Sequence, residues 1–119
     1  MNWKIDDSIN TCMVNDISEI SIAVNNVMEE KSEFLILEPA EQINGCNYMQ
    51  VCRSGPDIIY IEVNMYNMSD MNSVFCAECS TDKAIHILTA FYSENIIPDL
   101  NKWITGGMEV YYATSHELI

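Results

Sequence analysis

The sequence predicts a single acidic α+β domain over residues 1–119: a mainly antiparallel sheet of about five strands with two main helices packed on one face. The chain is 119 residues long and 49% hydrophobic, which suits one core and is too short for two domains. Apolar residues recur at helical spacing in two segments and alternate at strand spacing in others. A run of strands separates the two helical segments, so the regular alternation of a doubly wound parallel fold is missing.

The N-terminal part of the chain predicts short strands followed by a helix. The apolar pieces at residues 3–5 and 9–14 suit one or two strands. Asp16 and Glu19 have the spacing of a capping box, in which Asp16 accepts a hydrogen bond from a backbone N–H three residues on. Apolar residues then recur at spacings of three and four, which predicts a helix from Asp16 to about Lys31. They are Ile17, Ile20, Ala23, Val24, Val27 and Met28.

The middle of the chain predicts three strands, two of them in a hairpin. Residues 33–38 and 46–52 are apolar strands, and a five-residue turn over 53–57 leads into an alternating strand over 58–66. Because side chains on a strand point alternately to its two faces, this last strand has an apolar side and a polar one. The apolar side carries Ile59, Ile61, Val63 and Met65, and the other carries Ile58, Tyr60, Glu62, Asn64 and Tyr66.

The C-terminal third predicts a strand, the second helix and a closing strand. Residues 74–79 suit a strand, Ser80 or Thr81 caps the helix, and Pro98 is incompatible with its continuation. The apolar stripe of the helix consists of Ala84, Ile85, Leu88, Phe91 and Tyr92. Residues 101–105 suit a short extra turn of helix, the glycines at 106–107 a break, and residues 108–114 the last strand.

The charge balance excludes several classes of partner. The chain carries 18 acidic and 5 basic residues, a net charge of −13. Such a protein repels phosphate backbones and anionic membranes, so we expect no direct nucleic acid and no membrane partner. The acidic residues are spread along the chain, and their self-repulsion favours a basic protein partner that gains from electrostatic steering. The N-terminus lacks the pattern of a signal peptide, so we expect a cytoplasmic location.

The motifs typical of catalytic and metal-binding sites are mostly missing from the sequence, which does not favour an enzyme. The sequence has no glycine-rich phosphate loop and no nucleophile elbow, so we expect no catalysis, no cofactor and no metal. Cys76 and Cys79 form a Cys-x-x-Cys pair, and they leave open a small thiol-redox or metal-binding protein. On a strand, however, thiols three positions apart face opposite sides, and no second cysteine pair completes a zinc site.

The polar side of the hairpin is the predicted partner-binding face. It combines tyrosines, amides and a carboxylate, a mixture suited to interfaces. Strand alternation and charge select six candidate contact residues. They are Tyr60, Glu62, Asn64, Tyr66, Glu78 and Glu109.

Several segments resemble immunity proteins of bacterial polymorphic toxin and contact-dependent inhibition systems. The resemblance covers about residues 16–112 and is carried by strands with a Gln and a Glu, a late helix and a late Trp. The segments are Phe34-Leu35-Ile36-Leu37, Tyr48-Met49-Gln50, Tyr60-Ile61-Glu62-Val63, the helix Asp82 to Glu94, and Trp103. The resemblance implies a non-enzymatic cytoplasmic protein that neutralises a cognate toxin domain, often a nuclease, by stoichiometric blockade. An acidic adaptor or chaperone for a basic partner is the alternative that fits the same charge.

Overall fold

One antiparallel sheet with two helices on one face forms the framework of the chain. A computed structural model describes residues 2–66 and 72–105. In chain order the elements are β1 (Trp3–Asp7), β2 (Thr11–Met13), α1 (Ser18–Met28), β3 (Phe34–Pro39), β4 (Cys46–Gly55), β5 (Ile58–Tyr66), β6 (Asn72–Cys79), α2 (Thr81–Glu94) and β7 (Ile104–Thr105). The predicted α+β class, the antiparallel sheet and the two helices are therefore confirmed.

The strands lie in the order β2-β1-β3-β4-β5-β6-β7, and every neighbouring pair is antiparallel. The described part of the sheet thus has more strands than the predicted five, because short strands extend it at both sides. At one side β2 forms a hairpin with β1, whose turn is closed by the Asp7 carboxylate. That carboxylate accepts from the backbone N–H groups of Ile9 and Asn10, both at 2.7 Å.

The hairpin of β4 and β5 is confirmed, but its turn is shorter than the sequence indicates. Instead of five residues, the turn has two, Pro56 and Asp57, because β4 continues to Gly55, which pairs with Ile58. An irregularity in the ladder between Arg53 and Gly55 allows this continuation. Asp57 takes the left-handed conformation (φ 53°), and its carboxylate accepts from the Thr81 N–H at 3.2 Å.

Helix α1 begins at Ser18, two residues later than predicted, because only half of the capping box forms. The Glu19 carboxylate reaches back to the N–H groups of Asn15 and Asp16, at 2.6 and 2.8 Å. The Asp16 carboxylate accepts from the Ser18 hydroxyl at 2.6 Å, a bond that lowers the pKa of Asp16. The Glu19 N–H donates instead to the Asp16 carbonyl at 3.0 Å. The helix also ends before Lys31, at Met28.

Helix α2 is capped by Ser80, whose hydroxyl accepts from the Lys83 N–H at 3.1 Å. It ends at Glu94, earlier than Pro98 requires, because Asn95 adopts the left-handed conformation (φ 58°) that asparagine tolerates. Beyond it, the predicted turn of helix over residues 101–105 is wrong. Ile104 and Thr105 form β7 instead and pair with β6. The predicted break at 106–107 and the strand over 108–114 lie outside the described residues.

The core lies between the helices and one face of the sheet. The alternate residues Ile59, Ile61 and Val63 of β5 are fully buried there, together with their neighbours on β3 and β4. The helices close the core with Ile20, Val24, Val27, Leu88 and Phe91. Trp3 of β1 meets the Phe91 ring edge-on, with ring centroids 4.9 Å apart and an interplanar angle of 89°. This contact joins β1 to α2.

We expect the substitution Phe91→Ala to lower the free energy of unfolding by about 3–5 kcal/mol, because it removes a fully buried ring and leaves a cavity. Phe34→Ala is the matched control, since Phe34 is only partly buried and faces away from the helices. Its cost should be about 1–2 kcal/mol. Urea unfolding followed by circular dichroism measures both, and equal losses would contradict a main core on the helix side of the sheet.

We expect Ser80→Ala to destabilise the protein by about 1 kcal/mol, because the Lys83 N–H loses its acceptor at the start of α2. Ser93→Ala removes a hydroxyl of the same kind whose bond goes to the Thr89 carbonyl within the helix, and should change stability little. The two variants are compared in the same urea titration. A loss for Ser93→Ala as large as that for Ser80→Ala would show that Ser80 has no special role.

Candidate partner-binding face

The face of the sheet that the helices leave uncovered carries the candidate site, and we call it the helix-free face. The strand registers place on it the residues that alternate with the core positions. From β1 across to β7 they are Lys4, Asp6, Phe34, Ile36, Glu38, Tyr48, Gln50, Cys52, Ile58, Tyr60, Glu62, Asn64, Tyr66, Val74, Cys76, Glu78 and Ile104. The predicted division of β5 into a core side and an outer side is therefore correct.

Glu62 lies at the centre of this face. Gln50 is directly opposite it on β4, and Cys76 is directly opposite it on β6. The carboxylate is partly buried, and its Oε1 atom accepts a 2.6 Å hydrogen bond from the Tyr60 hydroxyl. Because Tyr60 is itself 2% exposed, it holds this carboxylate oxygen in a fixed position.

Glu62 has no counter-charge among the described residues. Lys4 is the basic residue that the described strands place on this face, and its ammonium pairs with Glu38 at 3.2 Å. It lies on β1, three strands from β5, a separation of about 14 Å at the spacing of strands in a sheet. Arg53 points to the other side of the sheet, where it meets Glu30 of the α1 end at 3.4 Å. A central carboxylate is thus left without a cation in the described chain.

The negative charge of Glu62 affects the titratable groups around it. Burial raises the pKa of Tyr48, and the Glu62 charge raises it further. The same two causes, in the same order, raise the pKa of the Cys52 thiol to about 11. For Tyr60, burial and then its hydrogen bond to Glu62 raise the pKa. Burial opposes a charge of either sign on these groups, whereas the Glu62 contribution opposes only a further negative charge and attracts a positive one.

Five of the six predicted contact residues lie on the helix-free face, and Glu109 lies outside the described residues. Two of the five are buried: Tyr60 supports Glu62, and Asn64 is only 5% exposed. Asn64 accepts from Asn47 at 2.8 Å and donates to the Tyr48 hydroxyl at 3.4 Å, so it orders its neighbours. Tyr66 is 42% exposed, and Glu62 and Glu78 are partly exposed. The Glu78 carboxylate accepts from the Ser54 hydroxyl at 2.5 Å.

The structure adds residues to this face that were not among the predicted contacts. Tyr48 and Gln50 border Glu62, and β3 contributes the partly exposed Phe34 and Ile36. The alternation of residues 33–38 already places Phe34 and Ile36 on the same side of their strand, so the sequence could have identified them as a pair. Their position beside Gln50 depends on strand order, which alternation does not contain.

Cys76 and Cys79 are separated by the sheet. Cys76 packs with Tyr60 on the helix-free face and donates to the Ile104 carbonyl at 3.4 Å, whereas Cys79 belongs to the main core. Three strand steps place their Cα atoms about 10 Å apart, beyond the reach of a disulfide. Burial raises the pKa of the Cys79 thiol to about 11, which opposes a reactive thiolate. Within the described ranges, no three His, Cys, Asp or Glu side chains are placed to hold a metal.

An open cleft of about 230 Å³ lies along α2, apart from the helix-free face. It is lined by His86, the histidine within the described residues. Its other polar lining residues are Lys83 and Asp99, and apolar residues such as Ile96 complete it. No serine, threonine or cysteine lines this cleft in the described part of the chain. His86 therefore has no neighbouring nucleophile there of the kind that it would activate.

Comparisons with protein-family models, with curated proteins and with solved structures found no match to this chain. Of the helices described, α1 has 11 residues and α2 has 14, and neither is long and apolar enough to cross a membrane. The geometry and charge of the helix-free face are therefore the features of the chain that indicate a function.

We expect only exposed thiols to react with Ellman's reagent in the folded protein at pH 8. Cys12 is exposed, whereas Cys46 and Cys79 are buried and have pKa values raised to about 12 and 11, so they should react only on unfolding. The variant Cys12→Ser should lose the fast phase. Fast labelling of Cys76 or Cys79 in that variant, located by mass spectrometry, would instead support the thiol-redox alternative.

Proposed function

We propose that this chain is a non-enzymatic cytoplasmic binding protein that neutralises a basic toxin domain by stoichiometric blockade through its helix-free face. The observation that carries the proposal is the central, partly buried Glu62 carboxylate, which has no cation among the described residues. Covering such a carboxylate with an apolar surface costs several kcal/mol. Covering it with a basic side chain supplies a counter-charge that offsets this cost. The face therefore selects for a positively charged protein surface.

The surroundings of Glu62 support an interface rather than a simply hydrated sheet. Tyr48 on the neighbouring strand β4, and Phe34 and Ile36 on β3 one strand further away, provide partly exposed apolar and aromatic surface on the same face. Asp6, Glu38 and Glu78 lie around this centre. An aromatic and apolar centre with a charged rim is the common arrangement of protein interfaces. The rim charges and the net charge of −13 accelerate the approach of a basic partner.

Blockade follows from the chemistry of the proposed partner. A nuclease toxin binds the phosphate backbone of its substrate through Lys and Arg side chains. An acidic face that pairs with those side chains occupies the groups that the substrate requires. The segments that resemble immunity proteins include the β4 and β5 strands of this same face, which agrees with the proposal.

We expect Glu62→Gln to weaken binding of the partner by about 2 kcal/mol or more, roughly 30-fold, because the partner's cation is left buried without a counter-charge. Tagged wild-type protein is used to capture proteins from the source cells at low salt, and a captured basic domain is purified for calorimetry. A 1:1 complex that weakens with salt is expected. Co-expression tests neutralisation: wild-type protein should restore growth to cells producing the domain, and Glu62→Gln should not.

Glu94→Gln is the control, since it removes the same charge from the exposed end of α2, away from the helix-free face. It should retain both binding and protection. Equal affinities for wild-type protein and Glu62→Gln would contradict the assigned face. A captured basic protein whose activity and toxicity are unchanged by binding would identify an acidic adaptor instead of a toxin inhibitor.

A further inference from the structure

We propose that the partner side chain bound over Glu62 is an arginine, and that its guanidinium is recognised by Gln50 and Glu62 together. This inference rests on the proposed function, because it specifies the chemistry of the cation that the helix-free face accepts. It adds Gln50 as a residue that determines specificity. Lysine would also satisfy the charge of Glu62, but arginine has a planar group, more N–H donors and weaker hydration.

Gln50 and Glu62 form one acceptor pair. They are directly opposite each other on β4 and β5, a position that brings Cβ atoms to within about 5 Å. The Tyr60 hydroxyl occupies Oε1 of Glu62, which leaves Oε2 to accept from a partner. In residues 2–66 and 72–105 we find no hydrogen bond from or to the Gln50 side-chain amide, so its carbonyl oxygen is a second acceptor. A guanidinium carries five N–H donors in one plane and can serve both acceptors at once.

The residues on either side of this pair favour a cation that is weakly hydrated. Along the same rung of the sheet, Ile36 is opposite Gln50, and the fully buried Cys76 is opposite Glu62. Neither neighbour supplies a charge that would compete for the carboxylate. Both Gln50 and Glu62 are themselves partly buried, so an entering cation loses part of its water. Guanidinium is more weakly hydrated than ammonium, and it therefore loses less on entering.

Tyr48 gives the site an aromatic wall. It lies two residues before Gln50 on β4 and so shares the helix-free face with it. Its hydroxyl accepts from the Asn64 side-chain amide at 3.4 Å, and Asn64 is bonded in turn to Asn47. These bonds orient the tyrosine. A planar guanidinium that bonds Gln50 and Glu62 can also contact the face of this ring, which adds a cation–π attraction.

The experiment compares two blocked tripeptides of equal charge, N-acetyl-Gly-Arg-Gly-amide and N-acetyl-Gly-Lys-Gly-amide. Each is titrated at low salt into ¹⁵N-labelled full-length protein and followed by NMR. We expect the arginine peptide to shift the backbone amides of residues 50 and 62 and the Gln50 side-chain NH₂ signals with a saturating curve. Its apparent affinity should exceed that of the lysine peptide by about three- to fivefold, because a guanidinium held flat over the site by its bond to Gln50 gains that hydrogen bond and the contact with the Tyr48 ring together.

Three variants separate the components of the site. Glu62→Gln should abolish the saturating shifts for both peptides, because it removes the charge. Gln50→Ala should keep the lysine affinity and lose most of the arginine preference, because it removes the second acceptor. Glu94→Gln should bind both peptides like the wild-type protein. The dispersion of the amide spectrum shows whether each variant is folded.

Equal affinities for the two peptides would overturn the arginine inference, as would shifts that do not involve residues 50 and 62, or no saturating shift with either peptide. A full arginine preference in Gln50→Ala would overturn the role of Gln50. These failures are distinct from failure of the proposed function, which is decided by capture, calorimetry and protection with the intact partner. A captured toxin that depends on Glu62 would support the function even if the peptides bound equally.

Discussion

The register between β4 and β5 fixes both the core and the helix-free face of this protein. Side chains alternate along a strand, so a slip of one residue would send Tyr60, Glu62 and Asn64 into the core and expose Ile59, Ile61 and Val63. The two-residue turn at Pro56 and Asp57, with the irregularity before Gly55, sets the pairing. The same pairing places Gln50 opposite Glu62. The β4–β5 ladder of hydrogen bonds therefore places the core residues on one side and the residues of the helix-free face on the other.

Repulsion among the acidic surface residues opposes folding, and burial of apolar residues in the core offsets this repulsion. Three of the five basic residues pair with carboxylates, all at exposed or partly exposed positions where ion pairs contribute about 0–1 kcal/mol each. The net charge of −13 already counts these basic residues, so the ion pairs leave all of it in place. Stability must come instead from burial between the helices and the sheet, where Trp3 of β1 packs against Phe91 of α2. A charge that costs stability is consistent with a use in binding.

The buried polar groups of the helix-free face act as supports. Tyr60 and Asn64 were selected as contacts because alternation places them outward, yet both are almost fully covered. Tyr60 bonds Glu62, and Asn64 bonds Asn47 and Tyr48. Each bond reduces the freedom of a neighbour that is more exposed, so less entropy is lost when a partner binds. The cysteines contribute packing: Cys76 fills space beside Tyr60, and Cys79 lies in the core.

Periodicity and turn residues, which act locally, were enough to predict the two helices, the antiparallel class, the β4–β5 hairpin and the two sides of β5. The sequence also indicated that Cys76 and Cys79 diverge. Tertiary structure decided that β3 lies beside β4, that Ile104 joins the sheet, and that Tyr60 and Asn64 are covered. It also decided that Glu62 has no cation near it in the part of the chain that the structure describes, because the distance to Lys4 depends on strand order. Strand order and coverage arise from contacts between residues far apart in the chain, which local periodicity does not encode.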